Sequence, residues 1–230
     1  MCYNLVMKLS VIIPAYNEEK RIAKTLEEIR EYLKDFDHEL IVVDDGSSDG
    51  TSAFSHLTYK QNMGKGYAIK KGVEIANGDL ILFIDADNAT PIEELTKFLK
   101  IDADIIIGSR YLPESRIERK QSHLRILIGR LGNLIISLLV IKNIKDTQCG
   151  FKLFKKTVAK ELFSELQTYR FGFDIEILAR AQKKHMKIVE VPVTWLHNNN
   201  SRVRPIRDAL KTLLDLIKIW WRLTFPHKVV

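Results

Sequence analysis

The chain alternates short apolar runs with segments whose apolar residues recur at helical spacing. The apolar runs of strand length are residues 9–13, 39–43, 80–84 and 104–107. Segments between them keep apolar residues three or four positions apart, as in Ile22, Leu26 and Ile29, which is the period of an amphipathic helix. Strands that alternate with helices predict an α/β fold, with a mostly parallel central sheet flanked by helices.

Acidic residues directly follow the run at 80–84. Asp85 and Asp87 stand at the carboxyl end of this predicted strand, where α/β sheets bind their ligands. Because residues two apart in an extended segment point to the same side, both carboxylates reach one point in space. Two carboxylates that close predict a bound Mg²⁺ or Mn²⁺, with substrate phosphates among its other ligands. The alternative is that Asp85 caps a turn and Asp87 starts the next helix.

Other strand ends and loops contain further candidate ligands. Asp44 follows the run at 39–43, and its carboxylate either accepts hydrogen bonds from a base or ribose or belongs to a turn. Lys65, in Gly64-Lys65-Gly66 before a predicted helix, is either a phosphate ligand or a solvated lysine. The loop at 14–18 contains no glycine, which excludes the dinucleotide-binding fingerprint of Rossmann domains.

Two amphipathic segments occupy the second half of the chain. Residues 125–141 are strongly apolar but include Arg130, and their uncharged part is too short for a membrane span. We expect an interfacial helical segment at about 115–142, lying on a bilayer surface, with a buried core helix as the alternative. Residues 205–225 carry apolar side chains near helical spacing and predict a second amphipathic helix, either at the interface or packed on a protein surface. This divides the chain into a main domain at 1–204 and a C-terminal helix at 205–230.

Charge and cysteine content narrow the class of protein further. The net charge of +7 is concentrated in two basic clusters, and because aliphatic runs interrupt them, a membrane surface suits them better than nucleic acid. The clusters are Arg110, Arg116, Arg119, Lys120, Arg125 and Arg130, and Arg202, Arg204, Arg207, Lys211, Lys218 and Arg222. Only Cys2 and Cys149 are present, which excludes a disulfide framework, and the six histidines lack zinc-ligand spacing. Without a secretory signal pattern, we expect a peripheral protein on the cytoplasmic face of a membrane.

Short motifs occur in a fixed order along nearly the whole chain. They are 10–19 (SVIIPAYNEE), 42–47 (VVDDGS), 64–66 (GKG), 85–87 (DAD), 108–110 (GSR), 146–154 (DTQCGFKLF), 171–176 (FGFDIE) and 189–193 (VEVPV). In this order they resemble the GT-A glycosyltransferases of family 2. The later motifs are similar to those of the polyprenyl-phosphate sugar synthase branch, which includes the dolichyl-phosphate glucosyltransferases and dolichol-phosphate mannose synthases. The resemblance implies a GT-A, Rossmann-like fold and a sugar-transfer activity.

The same resemblance implies roles for individual residues. By it, the nucleoside is held by Pro14, Tyr16, Glu18 and Asp44, and the metal and diphosphate by Asp85 and Asp87. Arg110 contacts phosphate, Arg130 meets the phosphate of a lipid acceptor, and Arg202 is a second candidate phosphate ligand. This chain has Ala89 where several family members have Gln. A third ligand to the metal would therefore come from Asn88 or from water, or would be absent.

The expected function is transfer of glucose or mannose from UDP-glucose or GDP-mannose to dolichyl or polyprenyl phosphate, with inversion and with Mg²⁺ or Mn²⁺. A phosphate acceptor needs no general base, because the second pKa of a phosphate monoester is near ~6. One alternative is a family 2 enzyme with a sugar-hydroxyl acceptor and Asp174 as base, although a helix N-terminus also explains an aspartate there. The other is a catalytically inactive nucleotide-binding scaffold on a membrane.

Overall fold

A computed structural model of the chain describes residues 7–118, 136, 140–170, 172–196 and 205–225, with residues 205–213 as backbone only. The strands are β1 (Leu9–Ala15), β2 (His38–Asp44), β3 (Leu57–Thr58), β4 (Leu80–Ile84), β5 (Ile105–Ser109), β6 (Arg116–Ile117), β7 (Phe151–Lys155), β8 (Ile188–Pro192) and β9 (Thr194–Trp195). The α-helices are α1 (Glu19–Leu33), α2 (Lys65–Ile75), α3 (Leu95–Phe98), α4 (Lys156–Ser164), α5 (Phe173–Lys183) and α6 (Pro205–Thr224), and 3₁₀ helices cover Gly50–Phe54 and Ile92–Glu94.

The central sheet has seven strands in the order β3-β2-β1-β4-β7-β5-β8. Strand β1 pairs in parallel with β2 and β4, and β5 pairs in parallel with β8. Strand β7 is antiparallel to both of its neighbours, β4 and β5. The prediction of a mostly parallel sheet flanked by helices is confirmed. The apolar pattern did not predict the antiparallel strand at its centre.

The sheet separates two hydrophobic cores. Strand β4 contributes Ile81 and Phe83 to the core that contains α2, α4 and α5. It contributes Leu82 and Ile84 to the opposite core, which contains α1 and Phe98. This alternation is the period of two that a strand requires, and burial on both faces explains why the run is apolar without interruption. The chain leaves the core at Asp85.

The C-terminal segment is a helix, as its sequence pattern predicts. Residues 205–224 are helical, and Leu216 and Ile219 of this helix are buried in the domain core. Strand β8 lies at the edge of the sheet, where the proline that ends it is tolerated.

Of the segment at 115–142, residues 119–135 and 137–139 lie outside the described residues. Its described members Ile136 and Ile141 are buried in the core.

We expect Phe98→Ala to lower the free energy of unfolding by about 3–5 kcal/mol, because it leaves a cavity beneath the sheet. The Phe98 ring is fully buried and meets the Phe151 ring edge-on, with centroids 4.9 Å apart. Urea unfolding followed by circular dichroism measures the change. Phe36, which is only partly buried against the same core, is the control, and Phe36→Ala should cost roughly 1 kcal/mol. Equal losses in the two variants would contradict the assignment of Phe98 to the core.

Candidate active site

The carboxyl end of β4 presents two partly exposed carboxylates beside two cations. The side chains of Asp85 and Asp87 are 38% and 28% exposed. Lys65, the first residue of α2, donates from Nζ to Oδ1 of Asp85 at 2.5 Å. Arg21 of α1 places its Nη1 3.8 Å from Oδ2 of Asp87. The two predicted metal ligands and the predicted phosphate-binding lysine therefore lie in one site.

The electrostatics of these carboxylates favour a bound cation. Burial, and then the negative charge of Asp85, raise the pKa of Asp87, so the two groups repel each other when both are ionised. A divalent ion relieves that repulsion, and hard carboxylate oxygens suit Mg²⁺ or Mn²⁺. Within the described part of the chain, no group of three or more His, Cys, Asp or Glu side chains could hold a metal. The donor set thus fits an ion that completes its coordination with substrate phosphates and water. Asn88, the alternative third ligand, donates through Nδ2 to Glu28 at 2.9 Å.

The backbone approaches the Asp85 carboxylate closely at Gly150. A Cβ atom on Gly150 would lie 1.8 Å from Oδ2 of Asp85, far inside van der Waals contact. Only glycine leaves room for the carboxylate at this position. Because Gly150 immediately precedes β7, the placement of Asp85 depends on the central antiparallel strand.

The loop that presents Lys65 is held by Asp45, a residue to which the sequence analysis assigned no role. The Asp45 carboxylate accepts hydrogen bonds from Tyr59, Asn62, Met63 and Gly64. Gly64 has a φ of 109°, in the left-handed region where glycine is favoured. These bonds fix the start of α2 and direct Lys65 toward Asp85. The available signal was the second aspartate of the pair at 44–45, directly after β2, which the turn chemistry of that loop obscured.

Three of the residues expected to hold the nucleoside lie at or beyond the end of β1. Pro14 is in β1, and Tyr16, which follows the strand, has 41% of its surface exposed. Glu18 forms an ion pair with Arg21, the same arginine that lies near Asp87. The predicted nucleoside residues and the predicted metal site are thereby adjacent. Their contact with a nucleoside stays a prediction.

Asp44, the fourth of these residues, is buried at the end of β2. Its carboxylate accepts hydrogen bonds from the backbone N–H of Ser47 at 3.2 Å and from the Thr58 hydroxyl at 2.8 Å. These bonds give Asp44 the turn-forming role that the sequence left open. Binding to a base or ribose remains a prediction for this residue.

Arg110, expected to contact phosphate, is bound to Asp146. Its Nε and Nη2 donate to the two carboxylate oxygens at 2.7 and 2.9 Å, and its backbone N–H donates at 2.9 Å. Although burial opposes ionisation, the Arg110 guanidinium lowers the pKa of the fully buried Asp146. The backbone N–H of Asp146 donates to Glu190 of β8 at 2.9 Å. Arg110 therefore anchors the loop before β7, and its phosphate contact stays a prediction.

Asp174, the alternative general base, is buried at the start of α5 and bound to Lys152. Nζ of Lys152 donates to Oδ1 of Asp174 at 2.5 Å, and the two side chains are 1% and 7% exposed. Burial raises the pKa of Asp174, and the Lys152 ammonium opposes that shift. The motif at 171–176 did not indicate this partner of Asp174, although a lysine inside the apolar run 151–154 was a signal for a buried ion pair.

Two further arginines were predicted to contact phosphate, Arg130 on the lipid acceptor and Arg202 as a second candidate ligand. Arg130 and Arg202 lie outside the described residues, and their roles stay predictions.

The apolar face of α6 that points away from the core is exposed, with values from 39% to 59% at Leu214, Ile217, Trp220 and Trp221. No helix in the described ranges combines the length and apolar character needed to cross a bilayer.

Comparison with known proteins identifies relatives along nearly the whole chain. The profile of glycosyl transferase family 2 matches residues 10–163. The dolichyl-phosphate beta-glucosyltransferase of Dictyostelium discoideum is 36% identical over 93% of this chain and 74% of the relative. The human enzyme of that name is 36% identical over 96% of this chain and 80% of its own. The Saccharomyces cerevisiae enzyme is 32% identical over 92% and 73%.

Solved structures resemble the fold. Glucosyl-3-phosphoglycerate synthase from Mycobacterium tuberculosis, in complex with Mn²⁺, UDP and phosphoglyceric acid, superimposes with a TM-score of 0.69 at 19% identity, covering 93% of this chain and 78% of that one. The same enzyme with Mg²⁺ and UDP has a TM-score of 0.67 at 20% identity, covering 93% and 79%. This likeness concerns the fold alone and confirms the GT-A architecture. Since the family profile spans β1 to α4 and the relatives cover most of the sequence, the chain belongs to glycosyl transferase family 2.

Proposed function

We propose that this glycosyltransferase moves glucose from a uridine nucleotide sugar to dolichyl phosphate or a related polyprenyl phosphate at a membrane surface. The observation that carries the proposal is the group of Asp85, Asp87 and Lys65 at the carboxyl end of β4. Its support from relatives is their name, dolichyl-phosphate beta-glucosyltransferase, over more than nine-tenths of this chain. The structures of similar fold hold UDP with Mn²⁺ or Mg²⁺, which favours a uridine donor over a guanosine donor.

The residues at the end of β4 suit a nucleoside diphosphate with a divalent ion. Asp85 and Asp87 would hold the ion, which when bound neutralises negative charge on the departing diphosphate. Lys65 supplies a second positive charge on the same side of the sheet, where an ammonium stabilises phosphate oxygens. Arg21 links this site to Glu18 at the end of β1. The chain's own groups therefore provide both binding and charge compensation for the leaving group.

The transfer itself needs few protein groups. An oxygen of the lipid phosphate forms a bond to the anomeric carbon while the bond from that carbon to the diphosphate breaks. The nucleoside diphosphate leaves with the bonding electrons, and displacement from the opposite side inverts the anomeric configuration. No proton has to be removed, because a phosphate monoester with a second pKa near ~6 is already largely a dianion at neutral pH.

The environment of Asp174 favours the phosphate acceptor over a sugar hydroxyl. A hydroxyl acceptor needs a base within hydrogen-bond reach. The Asp174 carboxylate is buried and already bound to the buried ammonium of Lys152. A base in such an ion pair is poorly placed to accept a proton from an incoming acceptor. A phosphate dianion has no such requirement.

Helix α6 supports binding to a membrane surface. One of its faces is buried through Leu216 and Ile219, and another exposes Leu214, Ile217 and Trp221. Exposed aromatic and aliphatic side chains on a helix that also carries lysine and arginine are typical of helices at the lipid–water interface. This surface and a lipid acceptor support peripheral association with a membrane, and the cytoplasmic face is the side that we propose.

We expect Asp87→Asn to reduce glucosyl transfer by roughly a hundredfold or more, because it removes a charge that holds the divalent ion to the diphosphate. The assay incubates purified protein with radiolabelled UDP-glucose or GDP-mannose and a polyprenyl phosphate, then counts label in the extracted lipid. Asp102→Asn is the matched control, since Asp102 is 77% exposed and pairs with Lys155, which lies beside Leu80 at the opposite end of β4. Full activity of Asp87→Asn would refute the proposed site. Nucleotide binding by the wild type without any lipid product would favour the inactive scaffold.

We expect the protein to sediment with vesicles that contain anionic lipid and to be released at about 1 M salt, where the Debye length falls to about 3 Å. Replacing Trp221 with Ala should weaken vesicle binding by at least about fivefold, since this side chain is exposed on the proposed lipid-facing surface. Ile75→Ala on α2 is the control, because Ile75 is similarly exposed at 45% but lies on another helix. Equal binding with neutral and anionic vesicles at every salt concentration would contradict membrane attachment through the two basic clusters.

The class of acceptor is tested by Arg130→Ala and Asp174→Asn together. For a lipid phosphate, we expect Arg130→Ala to raise the lipid KM or lower kcat while nucleotide-sugar binding is nearly unchanged. Asp174→Asn, checked for folding, should keep transfer within about tenfold, whereas loss of a general base costs roughly 10²–10⁴-fold. A folded Asp174→Asn enzyme that loses more than about a hundredfold, beside a fully active Arg130→Ala, would establish the hydroxyl acceptor instead.

A further inference from the structure

Lys152 is a charged residue at the centre of the sheet. It lies on β7, opposite Phe83 of β4 and Ile107 of β5, and 1% of its side chain is exposed. A lysine is tolerated in such a place only when its ammonium is paired and hydrogen-bonded. Nζ of Lys152 donates to Oδ1 of Asp174 at 2.5 Å and to the carbonyl oxygen of Cys149 at 2.6 Å.

The bond to Cys149 acts on the backbone beside the predicted metal ligand. The Cys149 carbonyl belongs to the peptide group that joins it to Gly150. The Asp85 carboxylate rests against Gly150, where a Cβ atom would lie 1.8 Å from Oδ2. By holding the Cys149 carbonyl, Lys152 keeps this peptide in the orientation that leaves space for the carboxylate. Lys152 therefore acts on Asp85 through the backbone, without a bond to it.

The bond to Asp174 acts on the opposite side of the same site. Asp174 follows Phe173 at the start of α5. The Phe173 ring centre lies 5.8 Å from Nζ of Lys65, and its side chain packs against Gly66, where an added Cβ would be 2.5 Å from that of Phe173. The first turn of α5 thus packs beside Lys65, and the ion pair between Lys152 and Asp174 connects this turn to β7.

We propose that Lys152 is a positioning residue for the cation and diphosphate site, and that its buried pair with Asp174 holds Asp85 and Lys65 in their mutual arrangement. The inference rests on the proposed function, because it concerns the same nucleotide site. A pair with a merely structural role changes stability alone when it is replaced. A positioning pair changes the affinity for the cation and nucleotide even when the fold is retained.

The test is the double variant Lys152→Met/Asp174→Asn. It removes both charges together, so that no uncompensated charge is left buried, and it removes the donor to the Cys149 carbonyl. Mn²⁺ binding in the presence of UDP is followed by electron paramagnetic resonance, beside thermal unfolding by circular dichroism. We expect a folded protein whose dissociation constant for Mn²⁺ with UDP is raised at least about tenfold, as for other residues that support metal ligands.

Two control variants separate positioning from stability. Lys155→Met is the same substitution on the same strand, at a lysine that is 44% exposed and pairs with Asp102 and Asp104, and it should leave the affinity unchanged. Asp174→Asn alone keeps the Lys152 ammonium on the Cys149 carbonyl, and the new amide oxygen can still accept the hydrogen bond from Lys152, so that both links of Lys152 remain although the charge on α5 is lost. It should therefore lower the unfolding temperature while the dissociation constant changes by less than about threefold, well below the loss expected when support for a metal ligand is removed.

An unchanged dissociation constant in a folded double variant overturns the inference, and so does a large loss in Asp174→Asn that the double variant does not share. If the double variant does not fold, Gly150→Ala decides, because its methyl group collides with Asp85 and leaves the ion pair in place. If the affinity for Mn²⁺ with UDP falls by about tenfold, the result supports positioning of Asp85 by the backbone before β7. An unchanged affinity overturns the inference. A wild-type protein that binds no Mn²⁺ with UDP refutes the proposed function itself. That result differs from a failure of the inference about Lys152, in which the wild type binds and the double variant binds equally well.

Discussion

Repulsion between carboxylates at the carboxyl end of β4 is the constraint on which the site depends. Asp87 has a raised pKa partly because of the charge on Asp85, and Asp174 also interacts electrostatically with Asp85. Such a cluster is stable only beside compensating cations. Lys65, Lys152 and Arg21 provide them. A divalent ion bound with a diphosphate of opposite charge can enter this site with little change in its total charge, which suits the nucleotide binding and release that we propose.

The compensation is built into the centre of the sheet by the antiparallel strand β7. The segment before this strand brings Asp146 to Arg110, and the strand itself brings Lys152 to Asp174. Asp146, Lys152 and Asp174 are buried and Arg110 is partly buried, and the cost of removing such charges from water is offset only when the geometry is good and the remaining polar atoms are bonded. Asp146 meets this condition with two nitrogens of Arg110, and Lys152 meets it with Asp174 and the Cys149 carbonyl. The Lys152–Asp174 pair joins β7 to α5, and the Arg110–Asp146 pair joins the end of β5 to the loop before β7.

Helix α6 combines a structural face with an exposed apolar face. Its buried residues pack beside α5, the helix whose first turn carries Asp174. The exposed residues include the adjacent Trp220 and Trp221. The helix therefore connects the surface proposed to contact lipid with the element that borders the proposed nucleotide site. A lipid-phosphate acceptor requires both to lie within reach of one active site.

The amino-acid sequence by itself determined the α/β class, most of the strands and helices before Asp104, and the carboxylates of β4, because these features depend on local periodicity and on residues close in the chain. The same periodicity located α6, whose apolar residues recur within one helix. Only the tertiary structure decided that β7 enters the sheet between β4 and β5, since strand order is set by contacts between distant segments. It also decided which charges meet: Lys152 and Asp174 are 22 residues apart, and Arg110 and Asp146 are 36 apart. The lysine inside the apolar run 151–154 indicates that a buried partner exists, but no local pattern identifies that partner, because the pair forms only when distant segments meet in the folded protein.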